Sequence, residues 1–277
     1  MRCIFCKQDS IDSRSVEHIV PESLGNHEHV LPPGIVCDQC NNYLGRAVEK
    51  PVLESEYLAQ VRFINSVVNK RGGLPTTRAL HVGSATQVEI YSSRHGGAIY
   101  PVDEKDTTRF VDCVSSLPRL RLILLPRSSS EQDQYLLSRF LGKTAIEALA
   151  HRLLGIPQAL DELIDSSELD PLRTYVRHGS QNLLWPFHTR EIYPVDAVFH
   201  ENGYGQYQVL HEWTFMGTPS SGSQELYLVL AIFGLEYALN LEAPNADAYK
   251  EWLAENGGIS PLYPSGTPVV ERWGRRS

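Results

Sequence analysis

The sequence predicts an α+β protein in two parts, a small cysteine-bearing N-terminal unit and a larger region of mainly antiparallel sheet. Three observations predict this. Four of the five cysteines form two identical pairs, Cys3-x-x-Cys6 and Cys37-x-x-Cys40. Between and just after them, short β-branched runs alternate with turn residues and lead into a helical stretch. Beyond Gly72-Gly73 and Pro75, several strand-like runs and one long helical run follow. With 277 residues and 42% apolar content, the chain can bury a core and make about two domains, which excludes disordered and collagen-like classes.

The two Cys-x-x-Cys knuckles point to a tetrahedral zinc, because a two-residue spacer bends the backbone until both thiolates meet one ion. Two disulfides are the competing reading. They suit a secreted domain, whereas Met1 to Cys6 carries no secretory hydrophobic region and only Cys113 is left over. With Cys3, Cys6, Cys37 and Cys40 all bound, the zinc is structural, since no position stays open for water. The longest apolar stretch, Leu226 to Leu235, is about half of what a bilayer requires. A soluble, cytoplasmic protein without membrane contact is therefore expected. The net charge of −8 excludes adhesion to polyanions over the whole surface. Residues 1–80 hold nine Lys and Arg against nine Asp and Glu, which permits a local nucleic-acid site near the N-terminus.

Between the knuckles, Val16, Ile19 and Val20 suit a short strand, Gly25 and Pro32-Pro33-Gly34 break the chain, and Ile35-Val36 begins a second strand. Asp38 is placed to cap a helix running to about Val48. This order sets Glu17 and His18 on a strand opposite the first turn of a helix that carries Asn41 and Asn42. A helix start favours an anion such as phosphate. A carboxylate and an amide oxygen are hard donors that Mg²⁺ accepts. A histidine near neutral pH can take a proton from attacking water. These are the parts of one-metal phosphodiester hydrolysis.

Residues 3–45, with Cys-x-x-Cys, Glu-His-Ile-Val-Pro, Leu-Gly and Cys-x-x-Cys-Asn-Asn-x-Leu-Gly, resemble the HNH endonuclease family, in the branch whose ββα-metal fold carries a four-cysteine zinc. The resemblance implies His18 as general base, Glu17 as a ligand of a catalytic Mg²⁺ or Mn²⁺, and Asn42 or Asn41 as the second ligand. It also implies DNA as substrate. Many members carry a middle asparagine about three residues before the second cysteine pair, where it holds the histidine loop. Gly34 stands there in this chain, leaving Asn26, His27, His29 or backbone contacts to serve.

Tyr57, Leu58, Val61, Ile64, Val67 and Val68 recur at helical spacing between Pro51 and Lys70. Arg62, Lys70 and Arg71, with Arg78, either face solvent or touch DNA phosphates. The expected boundary falls at Gly72-Gly73, giving a nuclease unit over 1–73 and an α+β domain over 74–277. In the latter, Ala79 to Tyr91, Ala98 to Val102, Arg109 to Val114 and Arg119 to Leu125 read as strands. Gln132 to Leu154 reads as the strongest helix, ahead of a polar link containing Pro171 and Pro186. Val195 to His200, Tyr207 to Phe215, Glu225 to Phe233 and Tyr237 to Leu241 read as an antiparallel sheet and Asp247 to Glu255 as a last helix. No phosphate-binding glycine loop, nucleophile elbow or repeat occurs there. This region selects DNA, senses a ligand or makes a homo-oligomer.

The expected function is a metal-dependent DNA endonuclease. Two rivals stand beside it. One, motivated by Gly34, is a zinc-dependent nucleic-acid or protein binding module with an inactive HNH fold. The other is a nuclease effector gated by its C-terminal region.

Overall fold

The structure is a computed structural model. It describes residues 1–68, 72–93, 96–116, 118–124, 131–179, 184–201, 205–220, 223–266 and 271–272. Two compact units result: Met1–Val52 together with Glu131–Ser277, and Leu53–Ser130. The chain thus divides at residues 52 and 130 and not at Gly72-Gly73. The reason is that the long helix after residue 130 packs back on the N-terminal segment.

That segment opens with two short antiparallel strands, β1 (Glu17–His18) and β2 (Val30–Leu31), in the register Glu17↔Leu31 and His18↔Val30. The second strand is Val30–Leu31 and not Ile35–Val36. Pro32 and Pro33 have no N–H to extend a ladder, and the carbonyl of Ile35 accepts from Ile4 N–H at 3.0 Å instead. Helix α1 (Asp38–Leu44) runs into a π-helical turn (Gly45–Glu49) and then α2 (Lys50–Leu53). Pro51 cannot donate to the carbonyl four residues back, and the wider turn before it, closed by Lys50 N–H on Gly45 O, absorbs the defect.

The unit Leu53–Ser130 begins with α3 (Glu56–Ile64), capped by Ser55 Oγ on Leu58 N–H. Strands β3 (Thr77–His81), β4 (Thr86–Ser93) and β5 (Gly96–Pro101), helix α4 (Thr107–Ser116) and strand β6 (Leu122–Leu124) follow. They form one antiparallel sheet in the order β5-β4-β3-β6. Residues 109–114 are helical, not a strand. Phe110 and Val114, four apart, together cover Ala79 and Val88, so tertiary burial outweighs the β-branched composition of the run.

In the rest of the larger unit, α5 (Glu131–Arg152) packs against α7 (Asp170–His178), with α6 (Ala159–Asp165) between them in sequence. Phe140, Leu141, Ala145, Ile146, Ala148 and Ala150 are all fully buried, so α5 has no broad wet face and runs through the core. Pro171 begins α7 and does not sit in a link, because the first helical turn needs no N–H from it. Strands β7 (Phe187–Glu191), β8 (Ala197–Glu201), β9 (Gly205–Tyr207), β10 (His211–Ser220), β11 (Ser223–Ile232) and β12 (Leu235–Asn240) come next. The main sheet has the order β10-β11-β12-β7, and α8 (Asp247–Glu255) places Tyr249 and Leu253 on Tyr227, Val229 and Ala238. A smaller sheet joins β13 (Glu271–Arg272) to β8 and β9. Of the basic tail Arg272 to Arg276, residues 273–276 lie outside the described residues. No described helix is long and apolar enough to cross a membrane.

Candidate active site and cysteine cluster

Cys3, Cys6, Cys37 and Cys40 bring their four sulfurs within 4.8 Å of one another. Cys6 Sγ and Cys37 Sγ are 3.7 Å apart, close to the edge of about 3.8 Å that zinc–sulfur bonds of about 2.3 Å give a tetrahedron. Backbone N–H groups point at the sulfurs, Cys37 N to Cys3 Sγ at 3.3 Å and Cys40 N to Cys37 Sγ at 3.4 Å. The second of these contacts caps α1, so Cys37, not Asp38, is the N-cap. Asp38 instead ties down the preceding turn, its Oδ1 accepting from Arg14 N, Ser15 N and Ser15 Oγ. Crowding sets the four thiols against one another. The Cys40 side chain, against the effect of burial, brings Cys3 down to about 4, while burial pushes Cys6 up to about 11. A cation at the centre removes that conflict, and the site fits structural zinc.

The knuckles are also fastened from outside. Arg2 pairs with Asp161 at 3.1 Å and Asp165 at 2.7 Å, and Lys7 with Asp170 at 2.6 Å. The buried Arg173 donates from Nε to Ile4 O at 2.9 Å.

On β1 successive side chains point to opposite sides. Glu17 turns inward, its side chain 7% exposed, and meets Lys143 Nζ at 2.7 Å. The same ammonium, 1% exposed, lies 2.7 Å from Glu49 Oε1 and 2.6 Å from Glu147 Oε2. The Glu17 and Glu147 contacts are hydrogen bonds, whereas Glu49 is close but off line. One cation therefore answers three carboxylates drawn from β1, the π turn and α5. Burial pushes Glu17 and Glu147 upward against the pull of Lys143. Burial opposes the charge of Lys143, but the three carboxylates hold it well above the usual lysine range. Glu17 Oε1 is engaged by Lys143, and Oε2 accepts no hydrogen bond among the described residues.

His18 has a buried Nδ1 with no hydrogen-bond partner among the described residues. Asn41 Nδ2 reaches Val16 O at 3.5 Å, which brings the start of α1 against the chain just before Glu17. Asn42 is exposed and makes no such contact. Glu17 Oε2 and Asn41 Oδ1 are hard oxygen donors of the kind a Mg²⁺-like ion takes.

Asn26 is the residue that closes the loop between β1 and β2. Only 1% exposed, it donates from Nδ2 to Val20 O and His29 O, both at 2.8 Å. Its Oδ1 accepts from Glu28 N at 3.2 Å and His29 N at 2.9 Å. That uses the full bonding capacity of an asparagine side chain. Gly34 cannot take this part, since its φ of +93° favours glycine and a Cβ there would strike Met1 Sδ. The next turn of the loop lies under the main sheet. A Cβ on Gly25 would run into Leu210, and His29 packs edge-on against His151, His211 and Trp213. Asn26→Ala leaves buried carbonyls and N–H groups unsatisfied, and urea unfolding of the zinc-loaded protein should register a loss of about 3 kcal/mol.

Of the four cations considered for DNA phosphates, Lys70 and Arg71 lie outside the described residues and Arg78 is exposed. Arg62 departs from the expectation of a solvent-facing cation: it is 7% exposed, and its Nε and Nη2 find no partner among the described residues. Burial lowers its pKa from the usual arginine range. Sequence reasoning missed Glu49, Lys143 and Glu147. Their one signal was an i, i+4 Lys–Glu pair in the middle of an otherwise apolar helix.

Residues 3–55 match the HNH endonuclease family model. The match spans both knuckles, β1, β2, α1 and α2. It covers about a fifth of the chain. The family is one of nucleases, hydrolases that act on nucleic acid. No curated protein and no solved structure matches the chain.

Proposed function

We propose that the protein is a metal-dependent DNA endonuclease whose β1, β2 and α1 form a ββα-metal unit pinned by zinc. The observation that carries this reading is the sulfur cluster within the HNH match, which fixes the start of α1 against β1 and so brings Asn41 to the chain beside Glu17 and His18. His18 is the general base: an unpartnered ring nitrogen beside the phosphate site can take the proton of the attacking water. Glu17 and Asn41 would hold the divalent ion, with Asn41 favoured over Asn42 because of the two only Asn41 bonds to the chain just before β1. When bound, Mg²⁺ or Mn²⁺ supplies Lewis-acid neutralisation of the scissile phosphate and the leaving oxygen. Lys143 orients Glu17 by engaging Oε1, so Oε2 is the oxygen that would serve a divalent ion.

Asn26 supports an intact site, since its four bonds do for the loop what the middle asparagine does in other members. That weakens the reading of an inactive binding module, whose motive was Gly34. A gated form of the same nuclease draws support from one contact, that of Lys143 with Glu17, because a residue of the C-terminal part touches the site directly.

The test is cleavage of supercoiled plasmid with Mg²⁺, with Mn²⁺ and with neither. His18→Ala should cut about 10²- to 10⁴-fold more slowly than the parent while keeping its zinc and its melting temperature. Parent-level cutting by that variant rejects the mechanism. Binding without nicking in every metal rejects the enzyme.

A further inference from the structure

The sheet of the unit Leu53–Ser130 has one covered and one open face. Ala79, Val88, Ile90, Ile99, Leu122 and Leu124 face α4. Strand alternation then turns Arg78, Glu89, Tyr91, Tyr100 and Ile123 to the other side. An antiparallel sheet open to water ordinarily carries polar residues outward. Here Tyr91 is 41% exposed, Tyr100 58% and Ile123 54%, and the two tyrosine rings lie 5.7 Å apart across β4 and β5. Glu89 accepts from Tyr91 OH at 2.6 Å and thereby fixes that ring, and Arg78 stands opposite Glu89 in the β3–β4 register. Arg78 and, at the edge beside β6, Arg121 are exposed and make no ion pair among the described residues.

Charge separates this unit from the remaining chain. It holds ten Lys and Arg against seven Asp and Glu, formally +3, whereas the rest holds fifteen against twenty-six, formally −11. An aromatic pair and two exposed guanidinium groups on the open face of a unit with net positive charge match the chemistry of unstacked bases on a phosphate backbone. A duplex keeps its base faces stacked and cannot offer them to a flat sheet.

We infer that the open face of the β5-β4-β3-β6 sheet is a binding platform for single-stranded nucleic acid, with Tyr91 and Tyr100 stacking bases and Arg78 and Arg121 meeting phosphates. This inference stands apart from the cleavage chemistry, and its test keeps the two separate. Fluorescence anisotropy with a labelled single-stranded DNA, the same sequence as RNA, and the matching duplex is measured on full-length His18→Ala protein without added divalent ion. Either single strand should bind at least about tenfold tighter than the duplex. Tyr91→Ala with Tyr100→Ala should weaken single-strand binding about tenfold or more, while Tyr91→Phe with Tyr100→Phe stays within about threefold of the parent. Arg78→Ala with Arg121→Ala should weaken binding and flatten its dependence on salt. Equal affinity for single strand and duplex overturns the platform, as does single-strand binding that the alanine pair leaves intact. So does a parent dimer in sedimentation that the alanine pair converts to monomer with oligonucleotide binding unchanged, which would make the face a contact between copies. Plasmid cutting by the parent reports on the nuclease reading whatever these arms return.

Discussion

Cys37→Ser should abolish stoichiometric zinc binding and melt the N-terminal segment. The substitution is informative because serine is itself a good N-cap, so α1 keeps its start while the ion loses a thiolate. Structural zinc contributes roughly 10–16 kcal/mol of apparent binding free energy in small zinc-pinned units, well beyond what β1, β2 and α1 can gain from their own packing. The effect should not stay local. Ion pairs from Arg2 and Lys7 to α6 and α7, and the bond of Arg173 to Ile4 O, join the knuckles to the larger unit. Zinc-to-protein ratio by elemental analysis and thermal unfolding by circular dichroism are the measurements. A variant that stays zinc-free yet melts like the parent refutes a structural role for the metal.

Lys143→Met is the second large effect. Removing one partner of a buried ionic cluster leaves the others uncompensated, which typically costs about 3–5 kcal/mol. Here three carboxylates at 2.6–2.7 Å lose the cation they share. Chemical denaturation should show that loss, and nuclease activity should fall with it because Glu17 no longer has one oxygen anchored. Adding Glu147→Gln should return at least half of the lost stability, since the carboxylate it removes is the most deeply enclosed. A single variant within about 1 kcal/mol of the parent would mean that the cluster is indifferent to its cation. Additive behaviour of the two substitutions would mean that Lys143 and Glu147 do not act together.

Much of this was legible in the chain itself. The knuckle spacing, the Glu17-His18 pair and the Asn41-Asn42 helix start are local patterns. The strands β10 to β12 and helix α8 likewise follow from local periodicity. What was not legible depends on distant partners. Residues 109–114 look like a strand because Val111 and Val114 are β-branched, and only the sheet beneath Phe110 makes the helix the better solution. Lys143 stands 126 residues from Glu17, and a lysine paired with Glu147 on its own helix does not say which distant carboxylate it will also meet. Arg62 reads as a surface cation because its burial comes from the fold and not from its neighbours in sequence. Asn26 is the intermediate case: a plausible residue in the right loop, distinguished from His27 and His29 only by the carbonyls the turn presents to it.

The tie between Glu17 and Lys143 has a consequence for how the protein is made. Synthesis runs at roughly 5–20 residues per second, so the separation of 126 residues keeps the first strand without its counter-ion for about 6–25 s after it leaves the peptidyl-transfer centre. A nascent chain that stops short of residue 143 carries both cysteine pairs, Glu17 and His18 but not the ammonium that pairs with Glu17. Translation to the middle of α5 therefore supplies the cation that Glu17 and Glu49 share.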